Sequence, residues 1–480
     1  MTTLLLLLIL ASALVITILL FFRQYRHYPA EGKPSIESII LCLWLVASVF
    51  FGSAYYVIPG PFDITIERIL FTLVILLAFL GFVKGLQQRL FSNYSIELLM
   101  GLFVVVCVVS MLEHGFFPVR PEFSSPWFVF ITGYFFPFIT FYFAKYYLAN
   151  SADIRLVFTV IFYIGVYLVI MSFFEFYEID QLIYPRYVAD PDIGIHYGQA
   201  RGPFLNSPHF GMAALFSLAC GLHLISYKQG MGKMILFLLL LLYPLAVFFS
   251  QTRAVYLAFV IMLILFLFMY HTHFPKWKVV ALPVFTVILA ILALLPILAG
   301  EDRRAGGLYQ PETVTIRQGL TQMSWIMIQD RPVSGVGLGQ FIPATLDEYR
   351  GRVAIIDVYQ DAIHFHNHLL GLTVELGLTG VLIYVLIIIL MYKRLFALSK
   401  YLASSDQFIN TNFLVVIGAM WLGFLVNFSF STPEFNIYSN AIVFMLAGMV
   451  DGLYQRYRKL DFQPAFEHGP GHPAYQEVGS

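Results

Sequence analysis

Long uncharged apolar stretches constrain the fold of this chain more than any other feature. Because these runs are continuous and do not alternate with a period of two, they favour membrane-spanning helices over a β-barrel. The sequence therefore predicts an all-α polytopic integral membrane protein with about thirteen transmembrane helices. The predicted spans lie near residues 4–22, 37–57, 69–83, 97–112, 127–144, 156–173, 209–226, 235–249, 254–270, 279–299, 367–391, 408–430 and 437–454.

Composition leads to the same class of protein. Apolar residues make up 59% of the chain and charged residues 12%, whereas soluble proteins contain about 25% charged residues. Basic and acidic residues balance at 28 each, so net charge does not point to a nucleic-acid partner. The three cysteines lie in separate apolar runs, which argues against a disulfide framework or a thiolate metal site.

The distribution of basic residues predicts how the chain crosses the membrane. Residues 1–3 lack the basic region of a cleaved signal peptide, so we expect 4–22 to be retained as the first helix. If loop 23–36 is cytoplasmic, all ten lysines fall on the cytoplasmic side and the outer segments carry arginine alone. This indicates an N-out, C-in topology. Guanidinium groups grip phosphate and carboxylate oxygens bidentately, although topological sorting alone could also produce the pattern.

The spans divide the chain into four predicted regions. Residues 1–299 form N-terminal transmembrane helices, 300–366 a large ordered periplasmic loop, 367–460 C-terminal transmembrane helices, and 461–480 a disordered cytoplasmic tail. Within the loop, 313–329 reads as an amphipathic helix that ends before Pro332 and the glycine-rich run 335–339. Its apolar stripe comprises Ile316, Leu320, Met323 and Met327.

Two arginine motifs lie beside predicted spans on the outer side. Arg201 opens the segment 201–209, RGPFLNSPH, at the depth of lipid phosphates. Arg253 lies in SQTRA, 250–254, between two spans with almost no loop. A permanent charge so close to hydrocarbon suggests a functional partner or a wet cavity. Snorkelling of Arg201 and ordinary headgroup contact by Arg253 are the alternatives.

Two further motifs lie in or beside the outer loop. Arg317 precedes the glycine run GVGLG, 335–339, whose spacing is not that of a dinucleotide site. A hairpin returning the loop to the membrane is favoured there over a backbone anion nest.

The sequence His364-Phe365-His366-Asn367-His368 follows where the chain re-enters the membrane. It could supply a general base, a metal ligand or an interfacial histidine held by backbone groups. No acidic or cysteine residue stands at a typical companion spacing, so a metal is disfavoured. Glu375 is expected to be a buried structural acid.

The order and spacing of these motifs resemble those of the bacterial O-antigen ligase and O-antigen polymerase superfamily over roughly residues 200–390. The specific part is DRPVSGVGLGQF followed by HNHLLGLTVELGLTG. The resemblance implies a GT-C-like membrane glycosyltransferase that needs neither metal nor cofactor. By motif position, His366 would be the catalytic residue, and Arg201, Arg253 and, less securely, Arg317 would bind the substrate diphosphate. Asn367, His364 and Gly337 would support the site.

The implied reaction is inverting transfer of a glycan from an undecaprenyl-diphosphate-linked donor to an acceptor hydroxyl at the periplasmic face of the bacterial inner membrane. The acceptor could be another lipid-linked repeat, a lipid A core or a protein side chain, with polymerisation slightly favoured. A transporter or flippase of lipid-linked sugars would also need arginines in a membrane cavity. Transporters usually carry inverted repeats, and the sequence shows no internal symmetry.

Overall fold

A computed structural model describes residues 33–51, 58, 64–87, 91, 93–118, 120, 123–269, 311–354, 367–402, 408–431 and 436–461. The longer helices are α1 (Ile36–Phe50), α2 (Ile66–Gln87), α3 (Ser95–His114), α4 (Pro126–Tyr147, with a π-helical turn at Ile131–Phe135), α5 (Ser151–Phe176), α6 (Ser207–Leu224), α7 (Gly230–Leu240), α8 (Tyr243–Phe249), α9 (Arg253–Met269), α10 (Pro311–Asp330), α11 (Phe341–Leu346), α12 (His368–Leu398), α13 (Thr411–Phe428) and α14 (Ile437–Asp461).

The helices confirm the all-α polytopic prediction. Helices occupy eleven of the thirteen predicted spans, and the other two, 4–22 and 279–299, lie outside the described residues. Within the described part of the chain, nine helical segments are long and apolar enough to cross a membrane, and α1 and the apolar part of α9 are shorter. The count of thirteen therefore stays a prediction.

Asparagine side chains begin several of these helices. Asn150, Asn206, Asn367 and Asn410 each accept a hydrogen bond from a backbone N–H in the first turn of α5, α6, α12 and α13, respectively. A side-chain acceptor satisfies an amide that has no carbonyl partner within its helix. The asparagines therefore fix where these four helices start, including the two that follow Arg201 and His366.

Helices α4 and α14 pack against each other most extensively. The pairs α5–α6 and α9–α13 follow. Glycines allow the approach of α14, because a Cβ on Gly448 would lie 2.0 Å from the carbonyl oxygen of Phe141. A Cβ on Gly452 would lie 2.5 Å from the carbonyl oxygen of Lys145. Small residues give membrane helices this kind of backbone contact.

The contacts between helix ends agree with the predicted alternation of the chain. One end of the bundle, here called the lysine end, joins the start of α3 to the ends of α4 and α14, with Asn93 held by Gln455 and Arg456 donating to the Lys145 carbonyl. The opposite end, here called the motif end, contains the starts of α6, α9 and α12. Residues predicted to share a side of the membrane therefore meet in space.

A buried ion cluster lies at the lysine end. The Lys145 ammonium is fully buried and pairs with Glu97 and, at 2.8 Å, with Asp451. The second carboxylate oxygen of Asp451 lies 2.9 Å from Nε of Arg394. The cluster joins α3, α4, α12 and α14. Charges so deeply buried are tolerated only when each has partners of opposite sign.

Helix α12 is broken at Gly377, where the backbone adopts φ 63° and ψ −169°. That conformation is essentially restricted to glycine. The segment that follows α10 pairs with the break: the Leu378 amide donates to the Pro332 carbonyl, and the Val336 amide to the Val374 carbonyl. Residues 378–398 alone extend about 32 Å at 1.5 Å per residue, enough to cross hydrocarbon. The break therefore separates a short first part of α12, residues 368–376, from a longer second part.

Candidate active site at the motif end

The segment that starts with Arg201 leads into α6. Residues 202–204 form a short 3₁₀ turn, Leu205 takes a left-handed conformation at φ 53°, and Asn206 caps the helix. The Ala200 amide donates to the Phe249 carbonyl over 2.9 Å, four residues before Arg253. The structure therefore brings the Arg201 and Arg253 motifs together at the motif end.

Arg201 itself is buried, with 1% of its surface exposed, and organises the loop that precedes it. Its guanidinium donates to four backbone carbonyls, those of Val188, Asp190, Ile193 and Ile195, at 2.6–3.3 Å. Burial lowers the pKa of this guanidinium from its ordinary value, and nearby Glu175 opposes that change. The phosphate-binding role of Arg201 stays a prediction, and it would require these carbonyls to be released.

Glu175, at the end of α5, binds the backbone of the same segment. Its carboxylate accepts hydrogen bonds from the backbone amides of Arg201, at 2.9 Å, and Gly202, at 3.0 Å. The carboxylate is buried, so these bonds replace those that it would make to water. Sequence reasoning missed this residue, although an acid at the end of an apolar span indicates that it has a partner.

Replacing Arg201 by lysine should loosen the loop 186–200. A single ammonium cannot serve four carbonyls, and each buried carbonyl left without a donor costs about 1–3 kcal/mol. We expect a lower melting temperature and faster hydrogen–deuterium exchange across 186–200. Arg186→Lys is the matched control, because the exposed Arg186 contacts only the Asp180 carbonyl among the described residues. Unchanged exchange in Arg201→Lys would contradict the organising role.

Arg253 begins α9 directly after a tight turn. Gln251 there is buried at φ 48°, and its side-chain Nε2 has no hydrogen-bond partner among the described residues. Arg253 is half-buried and likewise has no hydrogen bond or ion pair to any residue that the structure describes. The guanidinium of Arg253 and the amide of Gln251 therefore stand close in sequence at the motif end, with hydrogen-bond donors that no described residue accepts.

Helix α10 packs on α12 through its apolar stripe. Leu320, Met323 and Met327 are buried in a small core with Phe341, Val374 and three other side chains. Ile316 packs at the edge of this core. The predicted amphipathic helix therefore forms and buries the predicted stripe. Arg317 points to the other side of α10, where it lines an open groove.

The glycine run docks the segment after α10 on α12 and α3. The Gly337 amide donates to the Glu375 carbonyl over 3.0 Å, and the Leu338 amide to Oγ of Ser110 over 2.9 Å. A Cβ on Gly337 would lie 2.6 Å from Cγ of His114, so only glycine fits. These amides are committed to protein acceptors, which favours the predicted return of the loop over an anion nest.

The histidine motif straddles the edge of the described residues. His364 and His366 lie outside them, whereas Asn367 is exposed and caps α12 through Leu370. His368 is buried, and its ring centroid lies 4.0 Å from that of Phe428. His368 therefore belongs to an aromatic core. Glu375 is buried as expected, and its carboxylate accepts from the Phe341 amide at 3.4 Å.

The described helices are those of a multi-pass membrane protein. Residues 235–385 match the model of a protein family described as O-Antigen ligase. The match contains Arg253, Arg317, the glycine run and His366, and it confirms the resemblance of the motifs. This match supports an assignment to the O-antigen ligase and polymerase family. No curated protein sequence matches the chain significantly.

Proposed function

We propose that this protein is a glycosyltransferase that moves a glycan from an undecaprenyl-diphosphate-linked donor to an acceptor hydroxyl. The reaction takes place at the periplasmic face of the bacterial inner membrane and inverts the anomeric centre. His366 is the general base, and Arg253 holds the diphosphate with help from Arg317. The observation that carries this proposal is Arg253, a half-buried cation inside the matched region with no partner among the described residues.

The chemistry assigns each group one task. His366 takes the proton of the acceptor hydroxyl, the oxygen attacks the anomeric carbon, and the bond from that carbon to the diphosphate oxygen breaks on the opposite face. Undecaprenyl diphosphate leaves with the bonding electrons. Because diphosphate is already a good leaving group, no strong general acid is required. Guanidinium groups stabilise the charge that develops on the phosphates.

The remaining residues position these groups. Asn367 caps α12 and so fixes where the chain leaves His366, which precedes it directly. Gly337 docks the outer loop on the carbonyl of Glu375, and His364 supports the site from the same motif. Arg201 contributes by holding the loop 186–200 against the Arg253 segment, through the carbonyls to which it donates. Its direct contact with phosphate is the alternative within this proposal.

Release of undecaprenyl diphosphate by purified protein tests the proposed reaction. The protein is assayed in detergent with a lipid-diphosphate-linked glycan and each candidate acceptor: a second lipid-linked repeat, a lipid A core, or a protein. We expect release only with the correct acceptor, and in equal amount to the glycosidic bond formed. In detergent there are no two compartments, so a transporter or flippase would give no product. Absence of product with every acceptor would contradict the proposal.

Replacing Arg253 by alanine should weaken donor binding about 10- to 100-fold without loss of folding. A hydrogen bond to a charged group contributes about 1.5–3 kcal/mol, and Arg253 has no protein partner to lose among the described residues. Lysine at this position should restore part of the affinity, since it keeps the charge and loses the fork. The measurement is the dissociation constant for the lipid-linked donor, with melting temperature as the folding check.

Arg350→Ala is the matched control for this series. Arg350 is exposed in the outer loop and has no hydrogen bond or ion pair within the described part of the chain. We expect donor affinity to be unchanged in this variant. Equal losses of affinity in Arg350→Ala and Arg253→Ala would show a general effect of positive charge. That result would contradict specific binding of the diphosphate by Arg253.

A further inference from the structure

Helix α10 carries a second face that its packing on α12 does not use. Six residues of this face line an open groove of about 550 Å³. Trp325 is 57% exposed in the groove and Val314 is 45% exposed. The lining residues among those described are Val314, Arg317, Gln318, Thr321, Gln322 and Trp325.

The groove combines apolar and polar side chains, and most of its accessible lining is apolar. Gln318, Thr321 and Gln322 present amide and hydroxyl groups, which would lack hydrogen-bond partners in hydrocarbon. Helix α10 packs on the turns of α12 that precede the break at Gly377, where Val374 joins their shared core. A large exposed indole among polar side chains is costly to leave in water and is typical of a binding surface.

The chemistry of the groove matches a saccharide. A pyranose ring offers an apolar face of C–H groups and an edge of hydroxyls. The indole of Trp325 suits the first, and glutamine amides, which both donate and accept hydrogen bonds, suit the second. Arg317 lies eight residues before Trp325, about 12 Å along the helix at 1.5 Å per residue. The groove therefore runs from a cation to an aromatic platform over a distance longer than one sugar ring.

We propose that this groove binds sugar residues of the donor glycan, with Arg317 towards the diphosphate and Trp325 stacked on a ring farther along the chain. The inference rests on the proposed function, and it adds a subsite that selects the glycan and not the lipid. It assigns Trp325, Gln318 and Gln322 to recognition of the saccharide. Proton transfer and diphosphate binding stay with His366 and Arg253 in the proposed function.

Binding of two lipids separates this subsite from the diphosphate grip. The probes are undecaprenyl diphosphate without sugar and undecaprenyl diphosphate bearing the repeat unit of the source cell's own envelope polysaccharide. Trp325→Ala should weaken binding of the glycan-bearing lipid about 10-fold and leave binding of the bare lipid unchanged. Gln322→Ala should act in the same direction by a smaller factor, and Trp325→Phe should retain part of the affinity.

The controls keep the two proposals apart. Trp127→Ala removes another partly exposed tryptophan at the motif end, outside the groove, and should change neither affinity. Arg253→Ala should weaken the binding of both lipids. If the wild-type protein binds neither lipid, the proposed function fails.

If the wild type binds both lipids and Trp325→Ala changes neither affinity, the saccharide subsite is wrong. Diphosphate binding by Arg253 is then not contradicted. An equal loss for both lipids would show that Trp325 anchors α10 to the membrane surface, which also overturns the subsite.

Discussion

Replacing His366 by alanine is expected to abolish glycan transfer while the protein still inserts in the membrane and binds its donor. A positioned general base contributes about 10²- to 10⁴-fold to a rate, and a sugar hydroxyl is a weak nucleophile without one. The diphosphate grip lies on other residues, so the dissociation constant for the lipid-linked donor should change little. The measurement is the single-turnover rate of undecaprenyl diphosphate release with donor and acceptor saturating.

His472→Ala is the matched control for this variant, because it makes the same replacement in the predicted cytoplasmic tail. It should transfer at the wild-type rate. Full activity of His366→Ala would remove the proposed mechanism. A loss of donor binding equal to the loss of rate would assign His366 to the grip and leave the base unidentified.

Replacing Lys145 by methionine is expected to destabilise the whole bundle. The change leaves the Glu97 carboxylate, 6% exposed, without its ammonium partner and the Asp451 carboxylate, 1% exposed, with Arg394 as its remaining cation. Removing one partner of a buried ion pair costs about 3–5 kcal/mol. We expect a large fall in melting temperature and in the yield of monodisperse protein, and transfer activity should fall with the amount of folded protein.

Lys393→Met is the control for this second variant, since Lys393 is exposed on α12 one residue before Arg394 of the cluster. It should melt near the wild-type temperature. Adding Glu97→Gln to Lys145→Met removes the charge left without a partner and should recover part of the stability. If the single variant Lys145→Met melts like the wild type, the cluster does not hold α3, α4, α12 and α14 together.

Much of the fold could be predicted from the sequence because hydrocarbon imposes one strong rule. A backbone that crosses it must satisfy its own hydrogen bonds, so an uncharged run of sufficient length predicts a helix. The amphipathic helix α10 could also be predicted from the sequence, because its apolar stripe has helical spacing. The structure buries Leu320, Met323 and Met327 of that stripe. The break of α12 could not be predicted from the sequence, because it depends on hydrogen bonds between the distant segment 332–337 and the backbone around Gly377.

The candidate site was less predictable for a related physical reason. Sequence position places an arginine at the membrane surface, but it does not say which acceptors its guanidinium reaches. Arg201 and Arg253 look alike as motifs, yet Arg201 donates to four loop carbonyls, whereas Arg253 has no partner among the described residues. From the sequence, Lys145 indicated only which side of the membrane its loop occupies. Its ion-pair partners on other helices became known from the structure. The signal was present in Glu97 and Asp451, acids inside predicted spans that require a cation.

A donor-bound structure determined by cryo-electron microscopy tests the central claim most directly. The distance to be measured joins the His366 imidazole to the anomeric carbon of a lipid-linked glycan whose diphosphate is bound. We predict that the Arg253 guanidinium contacts the phosphates and that the imidazole faces the same cavity, on the side of the sugar ring opposite the leaving group. An imidazole turned away from that cavity, or a diphosphate bound at the lysine end, would contradict the proposed reaction.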